Sequence, residues 1–182
     1  MALIRLEQEL SAGAFQNMLS VPKRPIAFFS KLLLLILFGM GAVLLASVIF
    51  GTGYFFFMKQ RFINYLFYWI AAFVLIGSNI FLYILHLFLA IRFNKGVTIS
   101  LGIVESLLSA LLLTGLGDSV WVFVPAAWAS RFTTLLLRNF SAYDIISTDW
   151  KIALFICIFT TAGGLLAFPI WACHWDGTRG NE

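Results

Sequence analysis

Four apolar runs, each about as long as a bilayer is thick, constrain this chain more than any other feature. The first extends from about Leu32 to Phe57, between Lys31 and Lys59, and the second from about Ile63 to Ile91, between Arg61 and Arg92. The third runs from Val97 to about Leu116 and carries Glu105 inside it; the fourth runs from Ile152 to Ala172, between Lys151 and the polar tail HWDGTRGNE. A hydrocarbon core of about 30 Å needs about 20 apolar residues in a helix. Backbone polar groups in lipid must be satisfied within the segment, which selects helices for such runs. The expected fold is an all-α integral membrane protein with about four transmembrane helices. With 62% hydrophobic residues against 11% charged ones over 182 positions, the chain has too little polar surface for water-soluble catalysis across most of its length.

The cations fit the same picture. Twelve Lys and Arg against 8 acids leave a net charge of +4, and in so apolar a chain they mark membrane flanks rather than a nucleic-acid face. Nucleic acid is not an expected partner. An even number of crossings puts both termini on one side. Arg5, Lys23, Arg24, Lys31, Arg92, Lys95 and Arg179 then lie on the terminal side, against Lys59, Arg61, Arg131, Arg138 and Lys151 on the other. The excess favours cytoplasmic termini. Tyr65 and Trp69 near one end of the second run, with Trp150 and Trp171 at the two ends of the fourth, suit interfacial aromatic belts. The opening MALIRLEQEL has acids where a secretory signal has a basic start and an unbroken apolar core, so no cleavable signal peptide is expected. Cys157 and Cys173 are too far apart for CxxC chemistry and read as structural thiols.

The stretch GLGDSVWVFVPAAWASRFTTLLL, residues 115–137, is apolar enough to resemble a further crossing. Asp118 and Arg131 inside it would each cost at least about 2.5 kcal/mol near mid-membrane. Pro125 removes a backbone donor, and Gly115 and Gly117 favour a turn. These features predict a re-entrant or interfacial pair of short helices over 117–137; the alternative is a Pro-kinked span.

Three further places carry polar chemistry. Residues 5–24, RLEQELSAGAFQNMLSVPKR, form a surface segment in which Leu6, Leu10, Phe15 and Leu19 line one face while Glu7 and Glu9 stay wet. It serves either as an interfacial anchor or as a docking helix for a cytoplasmic partner. Glu105 is an intramembrane carboxylate, costly when ionised and unpartnered, with Ser106 and Ser109 as its nearest local partners. It is either a structural clasp to a neighbouring helix or a transport group. On the same run Gly102, Ser106, Ala110 and Thr114 recur every four residues, a small-residue stripe that lets another helix approach. Ala42 and Ala46, near Gly39, form a weaker version, and Gly163 with Gly164 marks a flexible or tightly packed point. No GxSxG, HExxH or GxxxxGK[ST] pattern occurs, and His86 and His174 lack a cluster that would make a metal site.

Two stretches resemble the permease subunits of lantibiotic immunity ABC transporters. EQELSAGAFQNMLSVPKRPIAFFSKL is similar to that family's segment ahead of its third transmembrane helix. GIVESLLSALLLTGLGDSVWVFVPAAWASR is similar to its fifth helix and the outer loop that follows. Together they cover about a third of the chain, and GLGD followed by W, P and AW is the more specific part. The resemblance implies a half-transporter of the exporter class whose helices three to six correspond to the four runs. The segment around Glu7, Glu9, Gly13, Phe15 and Asn17 would be the coupling helix that contacts a separate ATPase subunit. That subunit, not this chain, would bind ATP and Mg. A second permease subunit, the same or different, would complete the assembly. Residues 1–26 would then be a cytoplasmic coupling segment, 27–176 the transmembrane domain and 177–182 a cytoplasmic tail. The chain departs from the pattern by beginning where the loop after the second helix would begin, so the family's first two helices are expected to be missing; Ser119 and Ala126 also stand where other small residues are expected.

The function implied is expulsion of a cationic, amphipathic peptide from the bacterial cytoplasmic membrane. On the outer segment Gly117, Asp118, Trp121, Phe123, Pro125, Trp128 and Arg131 are the candidate substrate residues. Asp118 would meet basic groups, and the aromatic rings offer apolar, cation-attracting surface or simple interfacial anchoring. Three alternatives stand beside this: an ATPase-independent immunity protein that binds the peptide, a truncated permease without function, and an intramembrane enzyme built on Glu105 and His86.

Overall fold

Apolar length becomes helix length in the computed structural model, which describes residues 24–57, 64–93, 95–140 and 149–175. The described residues are helical and contain no strand: α1 is Arg24–Phe57, α2 Tyr65–Arg92, α3 Lys95–Leu112, α4 Pro125–Phe140 and α5 Asp149–His174. Two 3₁₀ turns, Gly115–Gly117 and Trp121–Phe123, lie between α3 and α4. Three stretches are long and apolar enough to cross a membrane, namely Ile26–Phe57, Tyr65–Arg92 and Trp150–His174. The chain is thus a helical, membrane-embedded protein.

The expected runs shift where local chemistry intervenes. α1 begins at Arg24, ahead of Leu32, with Pro25 in its first turn, where a missing N–H costs nothing. α2 is opened by Asn64, whose side chain accepts a hydrogen bond from the Leu66 N–H at 3.2 Å. α5 starts at Asp149 and passes through Pro169 to His174, carried past the proline by burial of Phe168 and Ala172 on either side. The expected third crossing, Val97 to about Leu116, is corrected most: α3 stops at Leu112 after 18 residues, about 27 Å. The chain folds back there, and Gly117 packs onto the Leu112 backbone so closely that a Cβ would collide with it.

Ring contacts fix the helix directions. Gly39 of α1 lies under the Tyr83 ring and Gly51 under Tyr65 and Tyr68, so α1 and α2 are antiparallel. Phe67 meets Phe140 at 5.6 Å and Phe81 meets Trp128 at 6.3 Å between ring centroids, so α4 is antiparallel to α2 as well. Gly164 against Phe81 and Ile84, followed by Trp171 on Phe88 at 4.8 Å, sets α5 parallel to α2. At one end of the bundle Phe28 sits edge-on to Phe168, Trp171 and Trp175, at 5.8, 6.0 and 5.8 Å. The start of α1 and the end of α5 therefore meet.

Two buried clusters result. One joins α1, α2 and α5 through Phe28, Leu32, Ile84, Leu87, Ile91 and Phe168. The other packs Leu112, Trp121, Val122, Ala127 and Trp128 against Ala153 and Cys157 of α5. Elsewhere the apolar surface faces outward: the most hydrophobic window of α1 is only 6% buried within the chain, against 28% for α2. That outward surface suits lipid, where packing rather than water exclusion holds helices together.

Candidate functional site

The turn between α3 and α4 is organised by one cation. Arg131, in the second turn of α4, donates from Nε to the Leu112 carbonyl at 2.6 Å and from Nη2 to the Thr114 carbonyl at 2.7 Å. The Leu112 carbonyl is one that the end of α3 leaves without a helical partner, the Thr114 carbonyl also accepts the Gly117 N–H at 3.0 Å, and a positive group there matches the helix dipole. Its Nη1 lies 2.7 Å from Asp118 Oδ1, and the guanidinium stands 6.0 Å from the centre of the Trp121 ring. A charge expected to be expensive is thus solvated by backbone, carboxylate and ring together.

The same contacts bury two of the rings expected on the outer surface. Trp121 and Trp128 are 5% and 0% exposed. They pack into the core because the chain between the helices runs back alongside α4. Trp128 Nε1 donates to the Val122 carbonyl at 2.9 Å, and Trp121 packs edge-on to Phe132 at 5.7 Å. Phe123 alone of the three rings is open, at 70%. Pro125 starts α4 instead of kinking a span. Asp118 remains largely exposed but is engaged by Arg131.

A second polar site joins α2 to α3. His86 Nε2 lies 2.7 Å from Glu105 Oε2, with the Glu105 side chain 13% and the His86 side chain 26% exposed. Gly102 is one turn away, its absent side chain leaving room against the imidazole edge. The local serines are not the partners of Glu105: Ser106 donates to the Gly102 carbonyl at 2.9 Å, and Ser109 to Ser130 of α4 at 3.1 Å. The pairing of His86 with Glu105 was legible only as the lone charged or imidazole side chain in each of two neighbouring apolar runs.

Of the small-residue stripe, Gly102 faces the His86 ring and the rest points outward. Ser106, Ala110 and Thr114 are exposed and Gly102 is half-buried, while the face toward α2 and α4 carries Thr98, Glu105, Ser109 and Leu112. Ala42 and Ala46 also face outward; the close approach on α1 is at Gly39 instead. Glu7, Glu9, Gly13, Phe15 and Asn17 lie outside the described residues. Among the described residues there is no group of three or more His, Cys, Asp or Glu side chains that could hold a metal ion. In comparisons with known proteins, no family model matches the chain and no curated protein or solved structure is similar to it.

Proposed function

We propose that the chain is the membrane permease subunit of an ABC exporter that expels a lantibiotic-type peptide and so protects the producing bacterium, driven by ATP hydrolysis in a separate subunit. The observation that carries this reading is the doubled-back segment 113–124. α3 and α4 both run antiparallel to α2, so the chain between them must turn back before α4 resumes the direction of α3. Asp118 and Phe123, both exposed in that turn, offer an acid and an apolar ring to a cationic, amphipathic peptide. Counting α3 and α4 as one passage interrupted by the turn gives four net crossings, the arrangement that suits cytoplasmic termini. The ATPase docks on the segment around Glu7 to Asn17, and the outward faces of α1 and α3 meet lipid or a second permease subunit.

The test is protection of a sensitive strain against a lantibiotic by this chain co-expressed with the ATPase subunit of a lantibiotic-immunity transporter. Glu7→Ala with Glu9→Ala is expected to abolish protection while membrane insertion stays intact; unchanged protection sinks the coupling role. Protection that persists when the ATPase is deleted replaces export with simple peptide binding.

A further inference from the structure

Between α2, α4 and α5 runs an open-sided groove of 730 Å³, within the roughly 300–1,000 Å³ typical of small-molecule sites. It is separate from the turn and from the His86–Glu105 pair. Its walls are graded along their length. Arg138 and Asn139 at the end of α4 and Trp150 at the start of α5 line one end, whereas Phe73, Leu135, Leu154 and Leu165 make most of the remainder apolar, with Ser78 and Thr161 its polar members and the Thr161 hydroxyl, too, buried without a partner. Trp150 Nε1 is buried there with no hydrogen-bond acceptor, a state that a buried donor avoids unless a partner arrives. Lys151 adds a second cation 5.9 Å from the Trp150 ring centre. The open side is rimmed by exposed apolar residues such as Phe73 and Ile158, so entry is lateral, from the bilayer. Along α5 the groove reaches from Trp150 to Leu165, about 22 Å of helix.

We infer that this groove holds one membrane phospholipid with an anionic headgroup: an acyl chain lies along the apolar wall, and the phosphate is met by Arg138 and the Trp150 N–H. A neutral apolar ligand would leave the cationic, donor-bearing end unmatched. A water-borne ligand would find the entrance facing lipid. The inference stands independently of what the chain transports.

Native mass spectrometry of the full chain in detergent, incubated with phosphatidylglycerol or with phosphatidylcholine of identical acyl chains, tests it. One phosphatidylglycerol is expected to be retained about fivefold better than phosphatidylcholine, the preference that one basic contact to an anionic lipid supplies. Gly77 lines the groove, and a Cβ built on it meets open space. Gly77→Phe should therefore fill the groove and displace the lipid while helical content and monodisperse elution are kept. Ala162→Leu, on the α5 wall, is the second blocking variant should the first fail to fold. Arg138→Gln is expected to erase the headgroup preference and leave a lipid bound. Equal retention of the two lipids by the unaltered chain, or undiminished retention by a folded blocking variant, overturns the proposal.

Discussion

Glu105 shows how a single side chain can be legible in its need and hidden in its partner. That an acid inside an apolar run needs a partner follows from solvation alone, and the clasp to a neighbouring helix was among the readings of the sequence. The identity of the clasp was not, because His86 lies 19 positions away and only the α2–α3 hairpin brings it within 2.7 Å. Both side chains are mostly shielded, so each alone is worse off than the pair. Replacing His86 with Ala should lower the thermal midpoint of the detergent-solubilised protein more than Glu105→Gln does, since Gln keeps an acceptor and adds a donor. In a double-variant cycle of His86→Ala with Glu105→Ala, the losses should fall short of additivity by about 1–2 kcal/mol. Strict additivity would mean that the contact contributes nothing. Gly117 is a simpler case. The GLGD pattern was read as a turn from glycine's conformational freedom, yet its necessity comes from the Leu112 backbone beneath it, which spacing along a sequence cannot reveal.

At the scale of elements, the charged and helix-breaking residues of 115–137 were informative. Asp118, Pro125, Arg131 and the glycines argued against a straight span, and the chain does turn there, with Pro125 at the first position of α4. Two things escaped the sequence. The end of α3 at Leu112 is set by where the chain folds back, not by a change in apolarity, since Leu113 and Leu116 would have continued the run. The burial of Trp121 and Trp128 depends on the turn lying against α4 and α5, a tertiary fact. Arg131 is the group that holds this arrangement. Arg131→Leu strands the Leu112 carbonyl, leaves that of Thr114 with the Gly117 N–H alone, and should cost about 1–3 kcal/mol, seen as faster hydrogen exchange and protease cleavage confined to residues 113–124. Asp118→Asn should cost under about 1 kcal/mol, because that carboxylate is 69% exposed and its pairing is screened. If the two variants destabilise equally, the ion pair rather than the carbonyl cap holds the turn.

For the whole molecule, helix directions say more than helix lengths. α2 and α5 are parallel, so between Arg92 and Asp149 the chain must travel the full height of the bundle in the opposite sense. Neither α3, with 18 residues, nor α4, with 16, matches the 28 of α2, but both run in the required direction. In the proposed topology the third apolar run of the sequence is half of a crossing whose other half is α4, an amphipathic helix whose Thr133 and Thr134 hydroxyls donate back to the Ala129 and Ser130 carbonyls at 2.7 and 2.9 Å. Such self-satisfied hydroxyls let a polar sequence sit at membrane depth. This predicts that the two ends of the described bundle share one side of the membrane, as the contact of Phe28 with Trp175 requires. Cys173 is exposed near that junction and Cys157 is buried, so the native chain already carries one reporter for a membrane-impermeant maleimide. With the excess of Lys and Arg on the terminal side, Cys173 should be silent in right-side-out vesicles and labelled in inverted ones. A cysteine introduced by Ile26→Cys in a Cys173→Ser background should follow the same pattern, and one introduced by Phe56→Cys the opposite. Labelling of positions 26 and 173 from different sides would break the pairing of α1 with α5. Labelling of both from outside would keep the fold and reverse its orientation.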